Sequence, residues 1–224
     1  MKVMILAAGR GERMRPLTDR TPKPLLEVAG ESLIVHSIRR LAAAGITDFV
    51  INHAHLGDQI ELKLGTGESF GVRIAYSREP EALETAGGIV QALPLLGLDP
   101  FLVVNADIWT DFDFAPLVNR HLPHSLLGHL LMVANPPHHP EGDFRVLDGM
   151  LNDTDGDRLT YSGIAVFRPE LFAGLKPGKQ PLAPLLRQEI ARGRLSAEVY
   201  RGAWFDIGTP ERLQQLQQIL VARG

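Results

Sequence analysis

Met4-Ile-Leu-Ala-Ala-Gly-Arg-Gly-Glu-Arg-Met-Arg-Pro16, followed closely by Thr21-Pro-Lys-Pro-Leu25, is the stretch on which the reading of this chain turns. Val3 to Leu6 is a short apolar run, preceded by charge and followed at once by small residues and two glycines. That pattern predicts a buried strand emptying into a tight loop. Gly9 and Gly11 carry no Cβ, so backbone N–H groups here can approach a ligand closely. Arg10, Arg13, Arg15 and Arg20 crowd cations beside the loop. Backbone donors with fixed positive charge make an anion cradle, and a polyphosphate is its natural occupant.

Lys23 sharpens that expectation. The chain has five lysines against eighteen arginines, and this lysine stands between Pro22 and Pro24. Each proline fixes its own φ and restricts the residue before it, so Lys23 rides on a stiff segment. A compact point charge held there suits one phosphate oxygen, where an arginine fork suits several. A lone Gly-x-Gly is equally a plain turn. A dinucleotide fingerprint needs a third glycine where Met14 stands, and no Gly-Lys-Ser/Thr follows to make a P-loop. Glycines, arginines and the braced lysine together favour phosphate binding.

Working outward, Ser32 is a candidate cap for a helix with Ile34, Ile38, Leu41 and Ala42 inward, ended by Gly45. Phe49 to Ile51 reads as a second buried strand, and Leu56, Ile60 and Leu64 as the next helix. Val72 to Tyr76 alternates as a third strand. Thr85 is a candidate cap for a helix bearing Ala86, Ile89, Val90 and Leu93, and Phe101 to Val104 is a fourth strand. Strands alternating with helices predict parallel βαβ units with right-handed crossovers. Ligands of such sheets sit beyond the carboxyl ends of the strands, where Gly9, Asn52, Ser77 and Asn105-Ala-Asp107 are expected.

The second half reads differently. Leu126 to Val133 is strand-like, and Asn135-Pro-Pro-His-His-Pro140 forbids regular structure. The Asp-Gly in Asp153-Thr-Asp-Gly-Asp157 predicts a turn between antiparallel strands around Phe144–Leu147 and Leu159–Tyr161. Gly163 to Phe167 reads as a further strand, Pro184 to Ala191 as a helix and Leu195 to Tyr200 as a strand. Pro210 opens a last helix with Leu213, Leu216, Ile219 and Leu220 inward.

At 224 residues, 45% hydrophobic and 22% charged, a single soluble globular domain is expected over residues 1–224. A net charge of −3 argues against general nucleic-acid affinity. The absence of cysteine removes disulfides and thiolate metal sites. No apolar stretch is long enough to span a membrane, and the first run ends too soon for a signal peptide. A cytoplasmic protein is the expectation, with no nucleic acid, membrane or protein partner evident.

Leu6-Ala-Ala-Gly-Arg-Gly-Glu-Arg-Met-Arg-Pro-Leu-Thr18 with Pro22-Lys-Pro-Leu-Leu-Glu-Val-Ala-Gly30 resembles the sugar-1-phosphate nucleotidylyltransferase family, and the resemblance runs nearly the whole chain. It implies a Rossmann-like α/β three-layer sandwich, of the nucleotide-diphospho-sugar transferase type. The central sheet of that fold is mixed and mostly parallel, with a small antiparallel insertion. A nucleotide-binding half at about 1–110 and a sugar-binding half at about 111–224 follow. The implied reaction joins a nucleoside triphosphate to a sugar-1-phosphate and releases pyrophosphate. UTP and N-acetylmuramate α-1-phosphate are favoured, in cell-wall sugar recycling. Glucose- or mannose-1-phosphate with dTTP or GTP is the alternative.

The same resemblance implies Lys23 on the α-phosphate, Arg13 on the departing β/γ end, and Mg²⁺ held by Asp107 and Asp206. Taken singly, each aspartate is also a simple cap or turn residue. Ala8, Gly9, Gly11, Asn52, Gly87, Gly88 and Asn105 are the further nucleotide candidates. Glu141, Asp153, Tyr161, Gly163 and Trp204 are the sugar candidates. Three departures stand out. Glu84 replaces the first glycine of the family's Leu-Gly-Thr-Ala-Gly, Ser162 replaces the alanine of Asn-Ala-Gly, and the usual Glu-Lys-Pro is missing near Asn152 to Asp157. The last fits a sugar bulkier than glucose or mannose. The eight histidines carry no metal motif and read as surface or structural residues, although the Pro/His loop has the character of a lid. A non-catalytic nucleotide-sugar sensor and a dinucleotide oxidoreductase are the rival classes.

Overall fold

The computed structural model of the protein describes residues 1–223. Val3–Leu6 forms β1, and Val3, Met4 and Ile5 are fully buried. Successive strand residues face opposite ways, so Val3 and Ile5 enter one core and Met4 the other. After the glycine loop, a hairpin of β2 (Glu27–Val28) and β3 (Glu31–Ser32) leads into α1 (Leu33–Ala43). Ile34, Ile38 and Leu41 are buried at the predicted helical spacing, and Gly45 follows the helix at φ +91°. Ser32 stands at the N-cap, yet its hydroxyl accepts no capping hydrogen bond. Its hydroxyl is buried without a partner among the described residues, and the Leu33 N–H is taken by the Leu26 carbonyl at 3.0 Å.

The chain continues through β4 (Asp48–His53), α2 (Gly57–Leu64), β5 (Arg73–Arg78), α3 (Glu84–Leu96) and β6 (Phe101–Asn105). These strands lie in the order β5-β4-β1-β6, all parallel, as the alternation of strand and helix signals predicts. The helix expected to be capped by Thr85 begins at Glu84, so Thr85 lies inside its first turn and does not cap it.

Next come β7 (Ile108–Thr110), α4 (Ala115–Val118), β8 (Gly128–Val133), β9 (Arg145–Leu147), β10 (Met150–Asn152) and β11 (Thr160–Phe167). Then follow α5 (Leu182–Ala191), β12 (Leu195–Tyr200), β13 (Trp204–Asp206) and α6 (Pro210–Arg223). The nine-stranded sheet runs on as β6-β11-β8-β12-β10-β9. Here β11 is antiparallel to both neighbours, whereas β12 runs parallel to β8.

Two expectations need correcting in this half. The hairpin turn is Asp148-Gly149, not Asp155-Gly156; both its residues have positive φ, which suits a two-residue turn between twisted strands. Only a single Phe144–Leu159 bridge connects the strands first expected to pair. Residues 160–161 and 163–167 are one strand, whose register against β8 slips between Tyr161 and Ala165, beside Gly163 at φ +79°.

Helices α1, α2 and α4 cover one face of the sheet, and α3 and α5 the other. A third apolar cluster joins Leu216 of α6 to Met14, Leu26, Val28, Trp109 and Ile207. Leu213 and Leu220 pack against it, while Ile219 is half-buried outside it. The C-terminal helix is thereby pinned against the segment that follows the glycine loop.

At the other edge, Glu61 of α2 receives Arg78 of β5 in a fork (2.6 and 2.5 Å) and meets His53 at 2.6 Å. Arg78 foremost, with His53, holds the Glu61 carboxyl down at about 2, below its ordinary 4.5. A depressed carboxyl stabilises the fold above its unfolded value and loses that contribution as pH falls through the folded one. Glu61→Gln should therefore flatten the loss of stability between pH 4.5 and about 2, read by denaturant titration across that range.

Candidate active site

Three strand ends make the floor. Leu6 lies opposite Asn52 on one side and Asn105 on the other, so β1, β4 and β6 release their chains at one level. Asn52 is 2% exposed and spends its amide on the scaffold. Its Oδ1 accepts the Ala7 N–H at 2.9 Å and its Nδ2 donates to Glu79 Oε1 at 2.6 Å. The other Glu79 oxygen accepts the Leu83 N–H at 2.9 Å. One side chain thus ties the glycine loop to the turn before α3.

The neighbouring glycines follow from that tie. A Cβ at Gly88 would lie 2.7 Å from both Asn52 Nδ2 and Glu79 Oε1, and one at Gly87 only 2.2 Å from the Gly178 carbonyl. Both are buried, and neither lines the cleft. Their lack of a side chain is accounted for by packing. Glu84, where the family pattern has glycine, keeps a left-handed backbone at φ +61° and lines the cleft from its exposed position.

The cleft over this floor is bounded by Ala8, Gly9, Gly11, Lys23, Asn105 and Asp107, with Asn52 at its base. Nothing lies within 4 Å of where a Gly9 Cβ would point. Gly11 is needed twice over. Its φ is +67°, and a Cβ there would come within 3.0 Å of Thr18 and 3.2 Å of Lys23. The Thr18 hydroxyl donates to the Gly11 carbonyl at 2.8 Å, closing the loop onto the lysine segment.

Lys23 follows an extended Pro22 and begins a one-turn helix, Lys23–Leu25. Its Nζ donates to Asp107 Oδ2 at 2.5 Å, with the lysine side chain 11% and the aspartate 37% exposed. The braced amine and the first of the two distant acids therefore meet. The four arginines disperse instead of forming one cradle: Arg15 pairs with Asp19 at 3.1 Å, and Arg10 and Arg20 are exposed. Arg13 faces a second cleft.

That second cleft is lined by Arg13, Asp107, His138, Tyr161, Trp204 and Asp206, and also by Asn105 and Gly163. The ribbon of β7 and β13 builds it: Asp206 pairs across from Ile108, and the Ile207 N–H donates to the Asp107 carbonyl at 2.7 Å. Asp206 accepts from Arg212 at 2.5 Å and meets His138 Nε2 at 3.0 Å. Gly163 leaves room for Asn105, whose amide nitrogen would stand 2.6 Å from a Cβ. Trp204 Nε1 donates to the Ser162 carbonyl at 3.0 Å. Burial, with the charge of Asp143 nearby, holds the Tyr161 phenol well above its ordinary range, so it remains a neutral donor.

The first and second clefts share Asn105 and Asp107. Glu141 is exposed and Asp153 is paired with Arg158 and Arg187, and neither lines these two clefts. Sequence reads His138 as a surface or structural histidine and does not mark Arg212, yet both meet Asp206. No spacing motif marks a loop histidine and a first-turn arginine that meet only around a folded Asp206.

Among the described residues no three His, Cys, Asp or Glu side chains gather to cage a metal. Asp107 and Asp206 on one cleft wall are an all-oxygen, two-carboxylate set. That set fits Mg²⁺, which takes one or two carboxylates and completes its shell with water and phosphate oxygens.

Residues 2–148 match the family described as "Nucleotidyl transferase". The chain is 54% identical to N-acetylmuramate alpha-1-phosphate uridylyltransferase of Neisseria meningitidis serogroup B, covering 98% of both chains. It is 38% identical to the Caulobacter vibrioides protein of the same name, over 93% of this chain and 92% of that one. Among solved structures, a protein assigned as a glucose-1-phosphate thymidylyltransferase of Bacillus anthracis superposes with a TM-score of 0.86. It is 26% identical and covers 98% of this chain and 94% of its own.

The left-handed Glu84 carries its own test. Relief of roughly 1–2 kcal/mol of backbone strain is partly offset by the roughly 0.5–1 kcal/mol entropic cost of glycine. Glu84→Gly should therefore stabilise the protein by up to about 1 kcal/mol in denaturant titration. A destabilised variant would show that Glu84 earns its place through contacts.

With a glycine loop over the strand ends, a braced lysine on an aspartate and matched relatives along almost its entire length, the chain belongs to the nucleotidyl transferase family.

Proposed function

We propose that the protein is the Mg²⁺-dependent uridylyltransferase of N-acetylmuramate α-1-phosphate, acting in the cytoplasm in cell-wall sugar recycling. The observation that carries the reading is the meeting of two clefts at Asp107, with Lys23 bonded to it. A reaction that joins two anionic substrates needs such a junction. The first cleft, chiefly from residues 1–110, receives UTP, and the second, chiefly from 111–224, receives the sugar phosphate. The 54% identical relative of that name supports the choice of substrates.

In this reading a sugar-phosphate oxygen attacks the α-phosphorus of UTP in line. The new P–O bond forms as the bond to the β-phosphate oxygen breaks, and pyrophosphate departs with that electron pair. The attacking oxygen is already anionic, so no general base is required. The barrier lies in bringing anions together and in the charge gathering on the equatorial and leaving oxygens.

Ala8 and Gly9 line the first cleft with open space beside Gly9, and their backbone N–H groups would hold phosphate oxygens there. Lys23 exchanges Asp107 for an α-phosphate oxygen, a short transfer for an amine already at the junction. Arg13, exposed on the rim just after the glycine loop, swings from the second cleft toward that loop to take the departing end, opposite the attacking oxygen. Asp107 and Asp206 would hold the metal, which neutralises phosphate charge when bound. Arg212 and His138 occupy Asp206 meanwhile and keep the carboxylate oriented.

Pyrophosphate release with a panel of triphosphates crossed with sugar-1-phosphates, in Mg²⁺, tests the assignment. The pair UTP and N-acetylmuramate α-1-phosphate should give the highest kcat/KM, and a better glucose- or mannose-1-phosphate pair would overturn it. Lys23→Ala should lower kcat by about a hundredfold to a thousandfold while changing the sugar-phosphate KM little. Near-normal turnover in a folded variant would remove Lys23 from the reaction.

A further inference from the structure

A third hollow, of about 440 Å³, adjoins both clefts. It shares Glu84, Thr85 and Asn105 with the first cleft, and Asn105 and Tyr161 with the second. Its far wall is apolar, from Phe144, Leu182 and Leu186. The charged groups lining it are the carboxylates of Glu84 and Asp143 and one guanidinium, that of Arg187 on α5. Asp143 is committed elsewhere: it accepts the Tyr161 N–H at 2.8 Å and meets His139 at 3.2 Å.

Arg187 is held in a fixed pose with its fork unspent. Its Nε donates to Asp153 Oδ2 at 3.0 Å, and its guanidinium carbon lies 5.6 Å from the centre of the Phe144 ring. Its two terminal nitrogens have no hydrogen-bond partner among the described residues. Asp153 also pairs with Arg158 at 3.4 Å. Two guanidiniums against one carboxylate leave a net positive charge at this end of the hollow. A planar fork with free N–H groups is the geometry that receives a carboxylate.

Resting on the substrate reading above, we infer that Arg187 is the specificity-determining residue for the sugar, receiving the lactyl carboxylate of N-acetylmuramate α-1-phosphate. That sugar differs from N-acetylglucosamine by a lactyl ether, which adds one carboxylate and one methyl. Elsewhere in the hollow the carboxylate would face Glu84 or Asp143 and be repelled; at Arg187 it is neutralised. The methyl has Leu182 and Leu186 to lie against. Asp153 is a positioning residue: it aims Arg187 and does not line the hollow, while Phe144 both supports the guanidinium and walls the hollow. This gives Asp153 a purpose although it lines neither of the first two clefts. It also gives a reason for a chain without Glu-Lys-Pro in this region, since a further carboxylate here would oppose an anionic substituent.

The test compares wild-type protein with Arg187→Gln, using N-acetylmuramate α-1-phosphate and N-acetylglucosamine α-1-phosphate, the second read as substrate or as competitive inhibitor. A lost charged hydrogen bond predicts a KM for the lactyl sugar raised about ten- to a hundredfold, with kcat changed little. The preference for the lactyl sugar over its analogue should shrink by a similar factor. Arg187→Lys should recover part of it, and Asp153→Asn, which frees the fork, should lose part of it. An unchanged KM for the lactyl sugar, or equal losses with both sugars, would overturn the inference while leaving uridylyl transfer intact. A wild-type protein that is active with UTP but does not use the lactyl sugar would overturn the substrate reading and this inference together.

Discussion

An amine and a carboxylate held at 2.5 Å, Lys23 on Asp107, are the constraint around which the chemistry of this protein is arranged. The pair joins the end of β6 to a proline-braced turn eighty-four residues earlier in the chain. With the lysine 11% exposed and its partner 37%, the cation lies deeper than the anion. Removing the aspartate alone leaves the deeper amine without its counterion, which costs more than the intact pair contributes, whereas Asp107 can turn to water. An anionic ligand entering from solvent changes this balance. A phosphate oxygen can replace the carboxylate at Lys23 without leaving the amine bare, and Asp107 is then free for a cation. The resting contact and the liganded state are thus two pairings of the same charges.

Much of the remaining structure keeps that pair at the mouth of both clefts. The parallel strands β1, β4 and β6 end in register, and Asn52 binds the loop after β1 to the turn before α3. Gly11 lets the lysine segment lie against the loop, and Gly88 lets the Asn52–Glu79 contact form. From the other end of the chain, the apolar cluster at Leu216 anchors α6 beneath the loop segment. This brings Arg212 to Asp206 and Asp206 to the wall shared with Asp107. The missing Cβ atoms are spent mainly on backbone and side-chain approach within the scaffold.

The sequence is legible where one local pattern determines the outcome. The four parallel strands and their helices follow from apolar periodicity: β1, β4 and β6 are buried on both sides of the sheet, and β5, at its edge, alternates between half-buried and exposed residues over Arg73 to Tyr76. Lys23 could be singled out because its prolines stiffen it locally, and Asp107 because it follows a buried strand. The hairpin was harder: two Asp-Gly pairs stand seven residues apart, and only cross-strand pairing selects Asp148-Gly149. Ser32 has the composition of a cap but makes none, since the approach of β3 fixes how the chain enters α1. Arg212, His138 and Arg187 escape a linear reading for one reason. Their meaning lies in the carboxylates and cavities they meet, and those are assembled from distant segments.

The most direct measurement of the central claim is a crystal structure with Mg²⁺ and a non-hydrolysable UTP analogue. Lys23 Nζ should have left Asp107 for an α-phosphate oxygen, with Asp107 and Asp206 both on the metal. A triphosphate bound in the cleft while Lys23 and Asp107 remained paired to one another would contradict it.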